Sequence, residues 1–235
     1  MRWLEEVAAG TGCAEGHPAT TVHLVGDLFD FWFEYRHAVP KGGVRLMGTI
    51  ARLTDAGLPI HLHVGNHDLW TFGYLEEELG VVVHREPTVF EVGGHSVLVG
   101  HGDGVGPGDA GYKRLKRAFT SPLLQRCFRA LHPDWGIGLA LKWSRTSRKK
   151  TELPPDPAHP EREWIWHFCK DEAAATPALS ACFFGHRHHP MELPVPLPDG
   201  GTIPYINLGD WIGHFTFGRF TAGQATLHAF TQPRG

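Results

Sequence analysis

Four apolar segments of this sequence each run into a glycine that is followed by polar, metal-binding residue types. Each segment predicts a buried strand, and open α/β sheets bind ligands beyond the carboxyl ends of their strands. The four blocks are Gly26-Asp27-Leu28-Phe29-Asp30, Gly65-Asn66-His67-Asp68, Gly100-His101-Gly102-Asp103 and Gly185-His186-Arg187-His188. One such turn would carry little information, but four in succession predict a single composite site.

The side chains in these blocks suit a divalent metal centre. Carboxylate, imidazole and amide oxygen are ligands for Mn²⁺, Fe²⁺ and Zn²⁺. His186 and His188 alternate along an extended segment, so both imidazoles can point to the same side. The predicted metal ligands are Asp27, Asn66, His101, His186 and His188. His61 and His63 lie within a predicted strand, where histidine more often packs locally than binds metal.

The order of the blocks resembles the calcineurin-like metallophosphoesterase superfamily. Four of its five motifs are present between Gly26 and His188. The resemblance implies an α/β fold: an α/β/β/α sandwich of two packed mixed sheets with a helical cap insertion. It also implies two divalent metal ions, Mn²⁺ being our expectation.

The resemblance also assigns roles to individual residues. Asp27 would bridge both ions, and His188 would belong to one of them. The other ion would be completed by Asn66, His101 and His186. His67 resembles the catalytic histidine, with Asp68 fixing its tautomer and keeping it cationic. For Asp30, support of the metal ligands and helix capping are equally open.

Residues from Arg2 to Arg148 resemble the UDP-2,3-diacylglucosamine diphosphatase branch of lipid A synthesis. The stretches that carry this resemblance are Gly26–Tyr35, Gly65–Trp70, and His101-Gly102-Asp103 with the basic helices that follow. It implies cleavage of the pyrophosphate of UDP-2,3-diacylglucosamine to UMP and 2,3-diacylglucosamine 1-phosphate (lipid X). The best-known members of this branch have Arg where His67 stands.

A strong charge asymmetry marks the segment after the third block. Tyr112–Lys150 carries a net charge of +10, whereas the rest of the chain carries −13. Because the basic residues alternate with large apolar ones, an anionic partner is favoured over a merely solvated surface. We refer to residues 109–150 as the insert. By resemblance the insert caps the site, receives acyl chains and rests on an anionic membrane face.

Six residues at and within the insert are the predicted substrate contacts. Asp109 and Tyr112 match an Asp and a Tyr that line the sugar site of the resembled branch. The basic contacts suit a pyrophosphate group. They are Lys113, Lys116, Arg117 and Arg145. Helical periodicity across the insert breaks at Pro122 and Pro133.

Size and composition fit one globular domain spanning residues 1–235. No apolar run reaches the roughly 20 residues of a spanning helix. Met1–Gly10 has two glutamates and no signal-peptide core. The four cysteines are widely spaced, as for free thiols. We therefore expect a cytoplasmic protein that is peripheral at the inner membrane. We expect no nucleic-acid partner, because the basic helices contain no recognisable motif for docking onto nucleic acid. The sequence does not indicate an oligomeric state.

Two other functions stay open at the level of sequence. The chain could be a different phosphohydrolase of the superfamily, acting on a nucleotide or phosphodiester. It could also be a truncated or weakly active homologue that binds without turnover, because the superfamily's opening Asp-x-His motif does not precede Asp27. By the resemblance, we expect one metal site of the chain as given to be incomplete and its N-terminal strand to be missing. We expect an in-frame Ser-Asp-x-His within about 25 codons upstream of Met1, enough for one strand and its loop.

Overall fold

The computed structural model describes residues 1–108, 110–151 and 158–231, and only the backbone of residues 143–151. The helices are α1 (Arg2–Ala9), α2 (Val44–Asp55), α3 (Tyr74–Leu79), α4 (Ala110–Phe119), α5 (Pro122–Arg129), α6 (Pro133–Thr151) and α7 (Trp164–Ala175). The strands are β1 (Val22–Leu24), β2 (Ile60–His63), β3 (Val82–His84), β4 (Thr88–Val92), β5 (His95–Gly100), β6 (Leu179–Phe184), β7 (Pro190–Pro196), β8 (Thr202–Leu208), β9 (Thr216–Thr221) and β10 (Gln224–Ala229). The predicted α/β class is confirmed, and this content of sheets and helices is consistent with a calcineurin-like sandwich.

The chain divides into two compact units. The first unit comprises Met1–Arg85 and Arg117–Arg145, and the second comprises Glu86–Lys116 and Thr146–Gly235. Among the described residues, no helix combines the length and the apolar character needed to cross a membrane.

The first unit is built on a parallel sheet in the order β1-β2-β3. Helices α2 and α3 are the crossover connections that a parallel sheet requires. Apolar positions at helical spacing, such as Leu4 and Val7 of α1 and Ile50 of α2, pack in one cluster with Val22 and Leu62 of the sheet. Helix α1 ends at Ala9 and is capped by Gly10, whose φ of 64° lies in the left-handed region. Because β1 and β2 run parallel, the blocks that contain Asp27 and Asn66 leave the sheet at the same edge.

The second unit contains a mixed sheet in the order β4-β5-β6-β8-β7. The central strands β5, β6 and β8 are parallel, and β4 and β7 join the edges antiparallel. Helix α7 covers one face through Ile165, Cys169 and Ala173, which belong to the same buried cluster as Cys182 and Tyr205. The parallel pair β5 and β6 delivers His101 and His186 to one edge. Strands β9 and β10 form a separate hairpin.

The insert is helical and breaks at the two predicted prolines, which occupy the first residue of α5 and of α6. Proline has no backbone N–H, and it is tolerated there because an N–H in the first turn of a helix would have no intrahelical acceptor. Part of the insert is anchored in the first unit by aromatic packing: the Phe128 ring lies 4.8 Å from both Phe33 and Trp70, between ring centroids. The indole N–H of Trp70 donates to the Phe119 carbonyl at 2.7 Å. Phe33 and Trp70 therefore hold the end of α4 and the helix α5 in place.

Candidate metal centre

In the first unit, a buried carboxylate ties together the loops that follow β1 and β2. Asp68 is fully buried, and its two oxygens accept the backbone N–H groups of Leu28 at 2.8 Å and Gly65 at 2.6 Å. The backbone N–H of His67 in turn donates to Oδ1 of Asp27 at 2.9 Å. These reciprocal hydrogen bonds fix the position of the Asp27 carboxylate.

The imidazole of His67 is buried beside this carboxylate. Its Nδ1 lies 2.9 Å from the carbonyl oxygen of Asp30, and its Nε2 lies 4.0 Å from Oδ2 of Asp27. A carbonyl oxygen only accepts, so this contact places the hydrogen on Nδ1. The structure thus gives the tautomer-fixing contact to the Asp30 backbone, whereas Asp68 holds the loops. The catalytic roles of His67 and Asp68 stay predictions.

Glycine at position 65 is required by the close approach of the two loops. A Cβ atom there would lie 2.4 Å from Oδ1 and 2.6 Å from the backbone nitrogen of Asp27. Real Cβ atoms essentially never lie closer than 3.0 Å to such atoms, and Oδ1 of Asp27 is held in place by the hydrogen bond from His67. The glycine that begins the second block therefore makes room for the aspartate of the first.

In the second unit, the His101 and His186 imidazoles meet directly. Nδ1 of His186 lies 3.3 Å from Nε2 of His101. The backbone N–H of Gly185 donates to the His101 carbonyl at 3.0 Å, which joins the third and fourth blocks. His188 is two residues further along the same loop.

Three of the predicted ligands have left-handed backbone conformations. The φ angles are 51° at Asp27, 67° at His186 and 57° at His188. Such angles are uncommon for residues other than glycine, and in the described residues only Phe215 and Ala222 share them. Strained residues persist where the surrounding structure holds them, and they cluster at functional sites. No pattern in the sequence predicts these left-handed backbone conformations.

The predicted substrate residues of α4 are tied to a buried aspartate. The Tyr112 hydroxyl donates to Oδ2 of Asp103 at 2.6 Å, and Nζ of Lys116 lies 2.8 Å from the same oxygen. Lys113 donates to the carbonyl of Gly106. Lys113 and Lys116 are therefore held against the loop that follows β5. The Tyr112 ring lies 6.4 Å from that of His186.

Of the three remaining predicted substrate residues, the structure describes the side chain of Arg117 alone. Arg117 is exposed and belongs to the first unit. Asp109 and the side chain of Arg145 lie outside the described residues.

The donor atoms of these residues fit a divalent metal ion. The first unit offers the carboxylate of Asp27, and the second unit offers the imidazoles of His101 and His186. One carboxylate and two imidazoles are a ligand set used by Mn²⁺, Fe²⁺ and Zn²⁺ alike, so the set does not select one metal.

Comparison with known proteins identifies the family. The chain is 35% identical over 233 residues to the UDP-2,3-diacylglucosamine hydrolase of Porphyromonas gingivalis, covering 92% of this chain and 82% of that protein. It is 28% identical to the enzyme of the same name from Pseudomonas entomophila, with 82% and 78% covered. The Nitrosococcus oceani enzyme is 26% identical, with 81% and 74% covered. The chain belongs to the UDP-2,3-diacylglucosamine hydrolase family. No protein-family model matches it.

Membership of this family confirms the resemblance found in the sequence and the prediction that the protein is a hydrolase. It leaves the individual site residues as predictions, because it does not test them.

Sequence reasoning missed several buried polar residues around the candidate ligands of the second unit. Asp103 is the last residue of the third block, and the sequence pattern assigns it no role. Glu163, the residue immediately before α7, forms an ion pair with Arg187 at 2.8 Å, and both side chains are buried. Asn207 of β8 is fully buried and donates to the Gly185 carbonyl. No spacing in the sequence connects Glu163 or Asn207 to the fourth block.

Proposed function

We propose that this protein hydrolyses the pyrophosphate of UDP-2,3-diacylglucosamine to UMP and 2,3-diacylglucosamine 1-phosphate, a step of lipid A biosynthesis. The observation that carries the proposal is the 35% identity over 92% of the chain to a hydrolase named for that substrate. In the reaction, water adds to one phosphorus atom and one P–O bond of the pyrophosphate breaks, so each product keeps one phosphate.

We propose that two divalent cations, Mn²⁺ by expectation, are the cofactors. Asp27 would contact both, with Asn66, His101 and His186 on one and His188 on the other. Such ions, when bound, supply positive charge that stabilises the phosphoryl oxygens during an in-line displacement. The support is the donor chemistry of these residues and the three left-handed backbones among them.

His67 is the proposed proton donor of this chain. With Nδ1 turned to the Asp30 carbonyl, Nε2 is the ring atom that faces Asp27. A protonated Nε2 in that position would donate to a phosphate oxygen or to the leaving oxygen. Asp68 would act through the loops, because it holds the backbone that carries both His67 and Asp27.

The insert, residues 109–150, is proposed to receive the acylated part of the substrate. In α5 and α6 several large apolar side chains are exposed to solvent, among them Leu123, Trp135 and Leu139 at 68%, 76% and 62%. Basic residues alternate with them, including Arg126 and Arg129. An apolar surface within a positive field suits acyl chains beside phosphate groups, and the cytoplasmic face of an anionic inner membrane.

Within the insert, we propose that Tyr112 and Asp109 line the sugar site. Lys113, Lys116, Arg117 and Arg145 would contribute charge toward the pyrophosphate. The Tyr112 hydroxyl bond to Asp103 and the proximity of its ring to His186 support this placement.

The decisive experiment is an assay of UMP release from diacylated UDP-glucosamine with Mn²⁺, run beside UDP-N-acetylglucosamine, which lacks the long acyl chains. We expect turnover of the acylated substrate alone, and Asp27→Asn to abolish both turnover and Mn²⁺ uptake while the circular dichroism spectrum is retained. Equal turnover of both substrates would favour a general phosphohydrolase. Full metal content in Asp27→Asn would refute its role as the bridging ligand.

A further inference from the structure

The fourth block is supported by a buried polar cluster that the proposed reaction does not use directly. Arg187 lies between the two candidate ligands His186 and His188, and its side chain is buried rather than turned to solvent. Its Nε donates to Oε2 of Glu163 at 2.8 Å, and its guanidinium carbon lies 4.5 Å from the centre of the Trp164 ring. The strand end that supplies two imidazoles is therefore attached to the start of α7.

The Glu163 carboxylate depends on this contact. It is 4% exposed, and burial raises the pKa of its carboxyl group while the Arg187 guanidinium opposes that rise. Its other oxygen, Oε1, is buried without a hydrogen-bond partner among the described residues. The backbone N–H of Ile165 is a further donor to this carboxylate, but Arg187 is the charged partner shown for it. A buried charge becomes costly once its oppositely charged partner is removed, so we expect the two residues to act as a unit.

A second buried contact holds the same loop from β8. The Asn207 amide donates to the Gly185 carbonyl, and it also lies 3.2 Å from the Tyr205 hydroxyl. The backbone N–H of Arg187 donates to the same carbonyl at 2.8 Å. The Gly185 carbonyl thus accepts two hydrogen bonds at the start of the turn in which His186 and His188 adopt left-handed φ angles.

We propose that Arg187, Glu163 and Asn207 are positioning residues for the two imidazoles of the fourth block. Left-handed backbone at two histidines in one turn is unfavourable by itself, and it persists only where neighbouring groups determine it. The ion pair holds the middle of the turn and the amide holds its start, so the imidazoles are oriented for a metal ion before it binds. This proposal rests on the metal centre put forward under Proposed function.

Removal of either support is expected to weaken metal binding, not merely to destabilise the fold. Residues that orient metal ligands typically change metal affinity by about 10–100-fold when mutated. In the metal-stripped protein, we expect Arg187→Met to raise the dissociation constant for Mn²⁺ by at least about 10-fold. Asn207→Ala should act in the same direction. Mn²⁺ binding is measured by electron paramagnetic resonance of the free ion, and unfolding by urea titration of the same metal-free sample.

A matched control separates positioning from general stability. Val195 of β7 is fully buried in the same apolar cluster as α7. Val195→Ala should lower the stability of the metal-free protein without changing Mn²⁺ affinity. If Arg187→Met does not fold, Arg187→Lys keeps the charge but loses the planar guanidinium, and the same criterion applies.

Three outcomes distinguish the possibilities. A rise in the dissociation constant for Arg187→Met but not for Val195→Ala supports the proposal. Unchanged Mn²⁺ affinity in Arg187→Met, or an equal loss in Val195→Ala, overturns it and leaves the metal centre intact. If the unmodified chain binds no Mn²⁺, the proposed metal centre fails and the positioning role fails with it.

Discussion

At the scale of single residues, the feature that organises the first unit is the close approach of the loop after β1 to the loop after β2. Asp68 accepts N–H groups from both loops, and Asp27 accepts one from His67. That arrangement brings the Asp27 carboxylate within the space that a side chain at position 65 would occupy. The first and second blocks are therefore interdependent, although 40 residues separate the atoms that pair.

Gly65→Ala tests this interdependence. The added methyl group would overlap Asp27, whose displacement should lower Mn²⁺ affinity and UMP release by at least about 10-fold, a loss typical of misplaced groups at metal sites. Gly48→Ala is the control, because it lies in α2 with open space around its Cβ position. Alanine favours a helix over glycine by about 1 kcal/mol, so the control should be neutral or stabilising. Wild-type metal affinity in Gly65→Ala would show that the loops adjust without cost.

At the scale of secondary structure elements, the parallel sheet of the first unit carries four histidines in contact. The register pairs His23 with His61 and His63 with His84. Nδ1 of His23 lies 3.1 Å from Nε2 of His63, and Nδ1 of His61 lies 2.8 Å from Nε2 of His84. Burial, followed by repulsion from His61 and His84, lowers the pKa of His23 to about 3. Burial also lowers the pKa values of His61 and His84. The folded sheet therefore disfavours the cationic forms of His23, His61 and His84.

This arrangement predicts acid sensitivity. Unfolded histidine has a pKa of about 6.5, so below that pH the unfolded chain binds protons that folded His23 does not. The contribution of neutral His23 to the free energy of unfolding is therefore fully present above pH 6.5, and it is lost as the pH drops toward 3. At pH 5 the loss from His23 alone is about 2 kcal/mol. Urea unfolding of the metal-free protein should show this loss between pH 7 and pH 5, and a shallower one in His23→Gln. The comparison at pH 8 isolates the packing cost of the substitution. Parallel pH profiles would contradict the assignment.

At the scale of the whole molecule, charge and apolar surface are unevenly distributed along the chain. The Tyr112–Lys150 segment carries +10 against −13 elsewhere. The same segment supplies exposed Leu123, Trp135 and Leu139, which a soluble surface would not ordinarily concentrate on adjacent helices. This combination favours an anionic, acylated partner.

The substitution Trp135→Ser/Leu139→Ser tests the role of that surface. We expect it to reduce sedimentation of the protein with phosphatidylglycerol vesicles and to raise KM for the acylated substrate several-fold. Val44→Ser is the control, since Val44 is 72% exposed but lies on α2, outside the insert. Binding of the unmodified protein to the vesicles should weaken as salt is raised, because charges separated by more than about 10 Å are screened at 0.1 M. Vesicle binding that is unaffected by both the double substitution and salt would exclude the insert as the docking surface.

The sequence alone determined the fold class, the family and the candidate ligands. Those conclusions rest on local signals: an apolar run that makes a strand, a glycine that ends it, and a proline that begins α5 or α6. Such signals act within a few residues and are readable in order along the chain.

Tertiary structure decided how the ligands are held. The Asp30 carbonyl beside His67, the Lys116–Asp103 pair and the Glu163–Arg187 pair each join residues that no local pattern relates. Left-handed backbone at Asp27, His186 and His188 likewise depends on neighbours supplied by other elements. These features arise only when the folded backbone brings distant segments into contact, because local preference by itself disfavours them.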